Sequence, residues 1–440
     1  MTSRLALPVG AALLALSAPT QAHAQSSLPD AVEASIIDIE PLVIDWRRDI
    51  HANPELGNRE TRTAEMVASH LRSLGIEVQT GVAHTGVVGV LRGGKPGPTV
   101  LLRADMDALP VTERLDLPYA SKVTTTYNGE QVGVMHACGH DTHVAILMGA
   151  ASVLAEMRDD LPGTVKFMFQ PSEEGPPEGE DGGAEMMVRE GILSDPDVDA
   201  AFALHVWSKG EVGHVFYTPG GTFASADAYR IVVRGQQTHG GYPWDGVDPV
   251  VISAHIITAL QTIVSREMKL IDAASVVTVG KIEGGVRSNI IPEQVTMDGT
   301  IRALNPEHRA QIHERVRALA TGIAESMGGS AEVTIPVGIG YPVTYNDPDL
   351  TTQMVPVLEG LAPGRTLQIP AVTGAEDFSY ISERVPGFYI RLGGRPADVS
   401  FEDAPAHHTP EFFIDDSGLG LGVRAMTAMA LEYMRTHAEQ

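Results

Sequence analysis

The chain of 440 residues carries 31 basic against 56 acidic side chains, a formal net charge of −25, with 43% hydrophobic and only 5% aromatic residues. That is the composition of a water-soluble globular protein with room for two or three domains of about 100–200 residues each, and it excludes a disordered or collagen-like chain. So acidic a balance repels nucleic acid and anionic lipid, leaving a metal cation or a small molecule as the expected partner.

At the N-terminus Arg4 precedes an apolar run, residues 5–16, that is shorter than the roughly 20 residues a membrane-spanning helix needs. Ala22-His23-Ala24 then has the form of a signal-peptidase site. Residues 1–24 are expected to be a cleaved signal peptide, with the mature chain exported to the periplasm or secreted and not membrane-bound. No other long apolar stretch is read. The one cysteine, Cys138, excludes an internal disulfide framework and suits an oxidising compartment.

Helical spacing over residues 35–52 and 60–74 is followed by Gly75 at a helical C-cap position. Residues 100–103 read as a strand ending in Arg103-Ala104-Asp105-Met106-Asp107. Asp141 is placed as the N-cap of a helix bearing Val144, Leu147, Met148, Ala151 and Leu154 on one face. Residues 165–169 form a strand ending in Gln170-Pro171-Ser172-Glu173-Glu174, and residues 199–204 a third strand closed by His205; residues 175–183 read as a loop. Strands alternating with helices predict an α/β fold with a parallel-rich sheet, whose sites gather at the carboxyl ends of the strands.

The middle of the chain differs. Strands at 229–233, 275–282, 295–301 and 331–336 and helices at 250–268 and 307–327 follow the order β-α-β-β-α-β of a ferredoxin-like α+β unit. Helices at 349–361 and 418–434 flanking a strand at 388–391 return to the first sheet. The expected organisation is a catalytic domain of residues 25–226 and 339–440, interrupted by an inserted domain of residues 227–338.

Cys138 and His140 stand two apart immediately before a helix, a spacing that suits a divalent transition ion able to keep a thiol deprotonated. Glu173-Glu174 at a strand end is costly to bury without a cation, and a carboxylate free of the metal could serve as a general base. His205 follows an apolar strand and needs a partner. His407-His408 could equally be an exposed polar pair, and His239 has no assigned role by itself. Two other readings stay open: Cys138 as a nucleophile activated by His140 or His143, and a non-catalytic two-lobed exported binding protein.

Taken together, His51-Ala52-Asn53-Pro54-Glu55, 103–110, 135–143, 169–175, Leu204-His205-Val206, Asn289-Ile290-Ile291-Pro292, Gly299-Thr300-Ile301-Arg302, 374–378 and His408-Thr409-Pro410 resemble the M20 metallopeptidase family. The likeness is to its aminoacylase-like amidohydrolase branch, with hippurate hydrolases and auxin-conjugate amidohydrolases, and spans nearly the whole mature chain. The resemblance implies two divalent metal ions per subunit, Zn or Mn, with Co or Ni also compatible. It implies Cys138 as a bridging thiolate, with His140, Glu174, His205 and His408 as further ligands and Glu173 as general acid/base. Asp105 would orient the site. Arg103 stands where the wider family has a metal-binding histidine, and the choice of His408 over His407 follows the family's His-x-Pro spacing. The inserted domain would dimerise, making a homodimer, and would close over substrate on hinges near residues 224–227 and 338–341. His239 would reach the neighbouring subunit's site to stabilise an oxyanion, and Asn289 and Arg302 would hold a substrate carboxylate, Arg by its bidentate fork. The implied activity is metal-dependent hydrolysis of an N-acyl amino acid or a short peptide, with a dipeptidase or carboxypeptidase as the alternative.

Overall fold

The computed structural model describes residues 28–438; the expected signal peptide lies outside them. An eight-stranded sheet runs in the order Glu77–Val82, Gly86–Arg92, Pro162–Gln170, Lys95–Asp105, Ala200–Glu211, Gly387–Arg395, Val215–Tyr217, Thr366–Gln368. Its centre is parallel: Lys95–Asp105 lies between Pro162–Gln170 and Ala200–Glu211, and Gly387–Arg395 pairs with Ala200–Glu211. The flank carrying Glu77–Val82 and Gly86–Arg92 is antiparallel. Both strands escape the sequence reading: the first exposes most of its side chains and carries no apolar run, whereas Gly86–Arg92 is an apolar, mostly buried run that the reading passes over.

Alternation along the central strands sorts their side chains to two faces. Leu102, Ala104, Val165, Phe167, Phe169, Phe202 and Leu204 belong to one core, which also takes in the inner faces of the helices Asp30–Ala52, His140–Glu156 and Leu419–His437. Leu101, Met168, Ala201, Ala203 and Tyr389 face the other way, against Ala184, Met187, Phe378 and Ile381. Two-residue steps from this second set reach Arg103, Asp105, Gln170, His205 and Arg391. Polar groups therefore collect on one face, toward the carboxyl ends of neighbouring strands.

A separate core holds the inserted unit together. Ser275–Gly284, Gln294–Ala303, Asp227–Arg234 and Ser330–Thr334 form an all-antiparallel sheet in that order. Tyr229, Ile231, Val233, Val295 and Met297 pack against Ile252, Ile256 and Leu260 of the helix Pro249–Thr262 and against Ile312, Val316 and Ala320 of the helix Pro306–Ser326. The helix expected over 250–268 is regular only to Thr262 and continues as a π turn, Ile263–Glu267. By length and composition Pro249–Glu267 could cross a membrane, an apolar stretch that the sequence reading passes over. Its outward residues Val250 and Val251 stay exposed. The two connections to the main domain run side by side, Ala226 and Tyr341 exchanging backbone hydrogen bonds of 2.9 Å in both directions.

Candidate metal centre

Cys138 and His140 are presented by a tight turn. Gly139 between them adopts φ 97°, and a Cβ there would lie 2.4 Å from Val206 Cγ2, so backbone conformation and close packing both call for glycine. The helix His140–Glu156 starts at His140 itself, which corrects the placing of Asp141 as its N-cap. Asp141 turns inward instead, forming an ion pair with Arg47, whose Nε lies 2.9 Å from its carboxylate, and pairing with His51 Nδ1 at 2.8 Å. His51, in the first of the matching segments, thus ties the N-terminal helix to the floor of the site. His205 is likewise not at a strand end, since its strand continues to Glu211 because Gly387–Arg395 goes on pairing with it.

The structure brings together the five residues expected as ligands. Cys138, His140 and His205 offer atoms within 4.8 Å of one another, and so do Cys138, Glu174 and His408. Cys138 belongs to both triads, the position a bridging ligand of two ions must hold. Fit to a cation shows in the hydrogen bonding. His140 Nδ1 meets Asp107 Oδ1 at 3.1 Å, while its buried Nε2 has no hydrogen-bond partner. His205 directs Nδ1 to the Val206 carbonyl at 2.6 Å and Nε2 to Cys138 Sγ at 3.3 Å. In both rings one nitrogen is engaged as a donor, which leaves the other's lone pair facing the cluster, as metal-binding imidazoles require.

The same accounting separates the remaining histidines. His407 Nε2 accepts from the Ser208 amide at 3.2 Å, so its Nδ1 carries the proton toward the Cys138 carbonyl, also at 3.2 Å. His143 Nε2 accepts from the Val206 amide at 2.9 Å and its Nδ1 donates to Asp105 at 2.5 Å. Neither ring has a free lone pair. His408 Nε2 lies 3.0 Å from Glu174 Oε1, within reach of the cluster.

Electrostatics favour a cation here. Burial opposes charge on His140, but Asp105 and Asp107 raise its pKa to about 10. Burial pushes the Cys138 thiol well above its ordinary range, and Glu174 and Glu173 push it further. His205 is held far below by burial, His143 and His407. A nucleophilic thiolate needs a lowered pKa, and burial beside Glu174 and Glu173 gives the Cys138 thiol the reverse, which counts against the Cys–His reading.

One residue missed in the sequence completes the support. Asp107 accepts from both His140 Nδ1 and the Glu174 amide, at 3.1 and 3.0 Å, joining the Cys138-x-His140 turn to the Glu173-Glu174 turn. The signal was its two-residue spacing from Asp105. Asp105 accepts from Arg103 at 2.7 Å as well as from His143, with His140 Nε2 3.8 Å away. Arg103, fully buried, is not a ligand but a hub that also donates to Glu376 at 2.8 Å and Asp377 at 2.9 Å. Burial opposes its charge, yet Glu376, Asp105 and Asp377 raise its pKa well above the usual value.

Glu173 is buried beside the cluster, and burial together with Glu376 and Glu174 raises its carboxyl well above the usual range. It opens with Cys138, Glu174, His205 and His408 into a cavity of about 460 Å³, walled on the apolar side by Trp207, Phe223, Tyr341 and Val372. His239, Asn289 and Arg302 do not line that cavity. His239 pairs in register with Ile290 and is exposed, and Gly240 donates to the Asn289 carbonyl at 2.9 Å, so these two sit together on the inserted domain. Arg302 lies opposite Val276 in the inserted sheet. The three expected substrate-side residues are thus apart from the metal cluster within one chain.

Residues 101–432 match the sequence profile of peptidase family M20/M25/M40. The chain belongs to that family. It is accordingly a metal-dependent hydrolase of amide or peptide bonds. A thermostable carboxypeptidase of Saccharolobus solfataricus is 38% identical over 407 residues, covering 92% of this chain and 99% of the relative. An IAA-amino acid hydrolase of Arabidopsis thaliana is 37% identical over 407 residues, covering 91% and 88%. Among solved structures, a dinuclear metal binding peptidase of the M20 family from Bacillus subtilis matches with a TM-score of 0.72 at 30% identity, covering 91% of this chain and 99% of that one.

Proposed function

We propose that this M20 hydrolase cleaves the amide bond of N-acyl amino acids at a site holding two divalent ions, releasing the free amino acid. The observation that carries the reading is Glu173, a buried carboxyl adjoining the Cys138-centred ligand triads and open to a cavity with an apolar wall suited to an acyl group. When bound, the ions supply polarisation of the amide carbonyl and acidification of water. Cys138, His140, Glu174, His205 and His408 would hold them. Glu173 takes the proton from the attacking water on one carboxylate oxygen and returns it to the departing nitrogen, while Asp107 keeps His140 and the Glu174 backbone in place. Similarity to a carboxypeptidase supports a second reading, peptide hydrolysis at the same site. Amine release from N-acetyl, N-benzoyl and dipeptide substrates, before and after chelation and with Zn or Mn restored, separates the two. Chelator-sensitive cleavage favouring the N-acyl compounds is the expected result, and a preference for dipeptides selects the second reading.

The inserted domain is assigned to homodimerisation. Its edge strand Ser275–Gly284 exposes Val276 and Ile282, and the helix Pro249–Thr262 exposes Val250 and Val251. Such apolar surface on one small unit favours a partner. His239 and Asn289, remote from the metal cluster of their own chain, would then serve the partner subunit's site. Light scattering on the metal-loaded protein is expected to give a dimer, and Val251→Lys combined with Ile282→Lys a monomer of much lower activity; a wild-type monomer of full activity overturns the assignment.

A further inference from the structure

Arg391 stands on the strand Gly387–Arg395 in register with His205 on Ala200–Glu211. Paired residues of parallel strands point to the same face with their backbones about 4.8 Å apart, so Arg391 leaves the sheet beside His205, on the face that carries the metal cluster. It lines the same cavity. Its residue exposure is 8%, its Nη2 is buried without a hydrogen-bond partner, and among the described residues it has no ion-pair partner. Glu376, the acidic side chain nearest in sequence on the cavity wall, is already engaged: one oxygen accepts from Arg103 and the Phe378 amide, the other from the Tyr389 hydroxyl at 2.6 Å. What Arg391 has instead is aromatic support, with its Cζ 4.6 Å from the Phe223 ring centre and 5.9 Å from that of Trp207. Cation–π contacts orient a guanidinium but replace only part of its lost hydration. Burial accordingly lowers the Arg391 pKa, where Arg103, ringed by carboxylates, has its own raised.

A buried, aromatic-braced cation with open donors beside the reacting centre is a receptor for a planar anion. We propose that Arg391 binds a second carboxylate of the substrate, so that the preferred amides are dianionic: N-acyl amino acids with an additional carboxylate on the side chain or on the acyl group. The inference rests on the amidohydrolase reading above, and it leaves the α-carboxylate to Asn289 and Arg302, as the family resemblance implies.

The test uses the metal-loaded wild type and Arg391→Met, which keeps an unbranched apolar side chain against Phe223 while removing the charge. kcat/KM is measured for N-acetyl-methionine, N-acetyl-glutamate and N-succinyl-methionine. Wild type is expected to prefer one of the two dianionic compounds, and which one locates the second carboxylate on the side chain or on the acyl group. Arg391→Met is expected to lower the ratio of that kcat/KM to the N-acetyl-methionine value roughly 10- to 100-fold, the range for a lost charged hydrogen bond, and Arg391→Lys to restore part of it. Because each ratio is taken within one preparation, partial unfolding does not move it. An unchanged ratio in Arg391→Met, or a wild type that cleaves N-acetyl-methionine at least as well as both dianions, overturns the proposal while leaving the amidohydrolase reading intact. Failure to hydrolyse all three, with dipeptides cleaved instead, removes the amidohydrolase reading itself.

Discussion

Glu173→Gln is expected to yield a folded protein that binds its full complement of metal and turns over almost no substrate. The amide keeps the shape of the acid but has no basicity, so neither the removal of a proton from water nor its delivery to the leaving nitrogen can occur. General acid/base catalysis by one positioned group contributes on the order of 10²–10⁴ in rate. Since Glu173 would act twice in each cycle, the loss in kcat should lie toward the upper end. The substitution also removes a buried carboxyl whose charge Glu376 and Glu174 oppose, so folding should not suffer. Metal analysis alongside steady-state kinetics decides the matter. Turnover within a few-fold of wild type would assign the proton transfers to another group.

The second large effect concerns the ligands. Cys138 belongs to both triads, whereas His205 belongs to one. Cys138→Ala is therefore expected to lose both ions and all activity, and His205→Ala to retain about one ion per chain at reduced affinity. Loss of a mere supporting hydrogen bond to a ligand costs roughly 10- to 100-fold in metal affinity, and loss of the ligand itself should exceed that. Elemental analysis after dialysis gives the stoichiometry directly. A Cys138→Ala protein that retains both ions would show that the thiol does not bridge, and the pairing of the triads would need a different shared ligand.

The short motifs were readable because their members are close in sequence. Cys138 with His140, and Glu173 with Glu174, announce themselves by spacing at the end of a strand or the start of a helix, and the structure places all four in one cluster. The order of strands and helices was readable for a related reason: apolar periodicity is a local property, and it outlined both the parallel-rich catalytic sheet and the β-α-β-β-α-β unit. The strands Glu77–Val82 and Val215–Tyr217 were not readable, the one mostly exposed and the other only three residues long.

Long-range hydrogen bonding has no such signature. Nothing near Arg103 predicts that its carboxylate partners Glu376 and Asp377 lie more than 270 positions away. Asp141 has the local appearance of an N-cap, yet Arg47 and His51 from the first helix claim its carboxylate, because a buried arginine without a counterion costs more than a missing cap. The choice between His407 and His408 turns on the Ser208 amide and the Cys138 carbonyl, which engage both nitrogens of His407.

Residue identity and short spacing along the chain are enough to give the family and the chemical type of the site, and they mark the residues competent to ligate. Tertiary contacts set which imidazoles keep a free lone pair, make Cys138 common to two triads, and leave Arg391 buried with no ion-pair partner among the described residues. Each of these depends on which groups from distant segments share a small volume with little water, and there an unsatisfied lone pair or charge becomes the dominant energy.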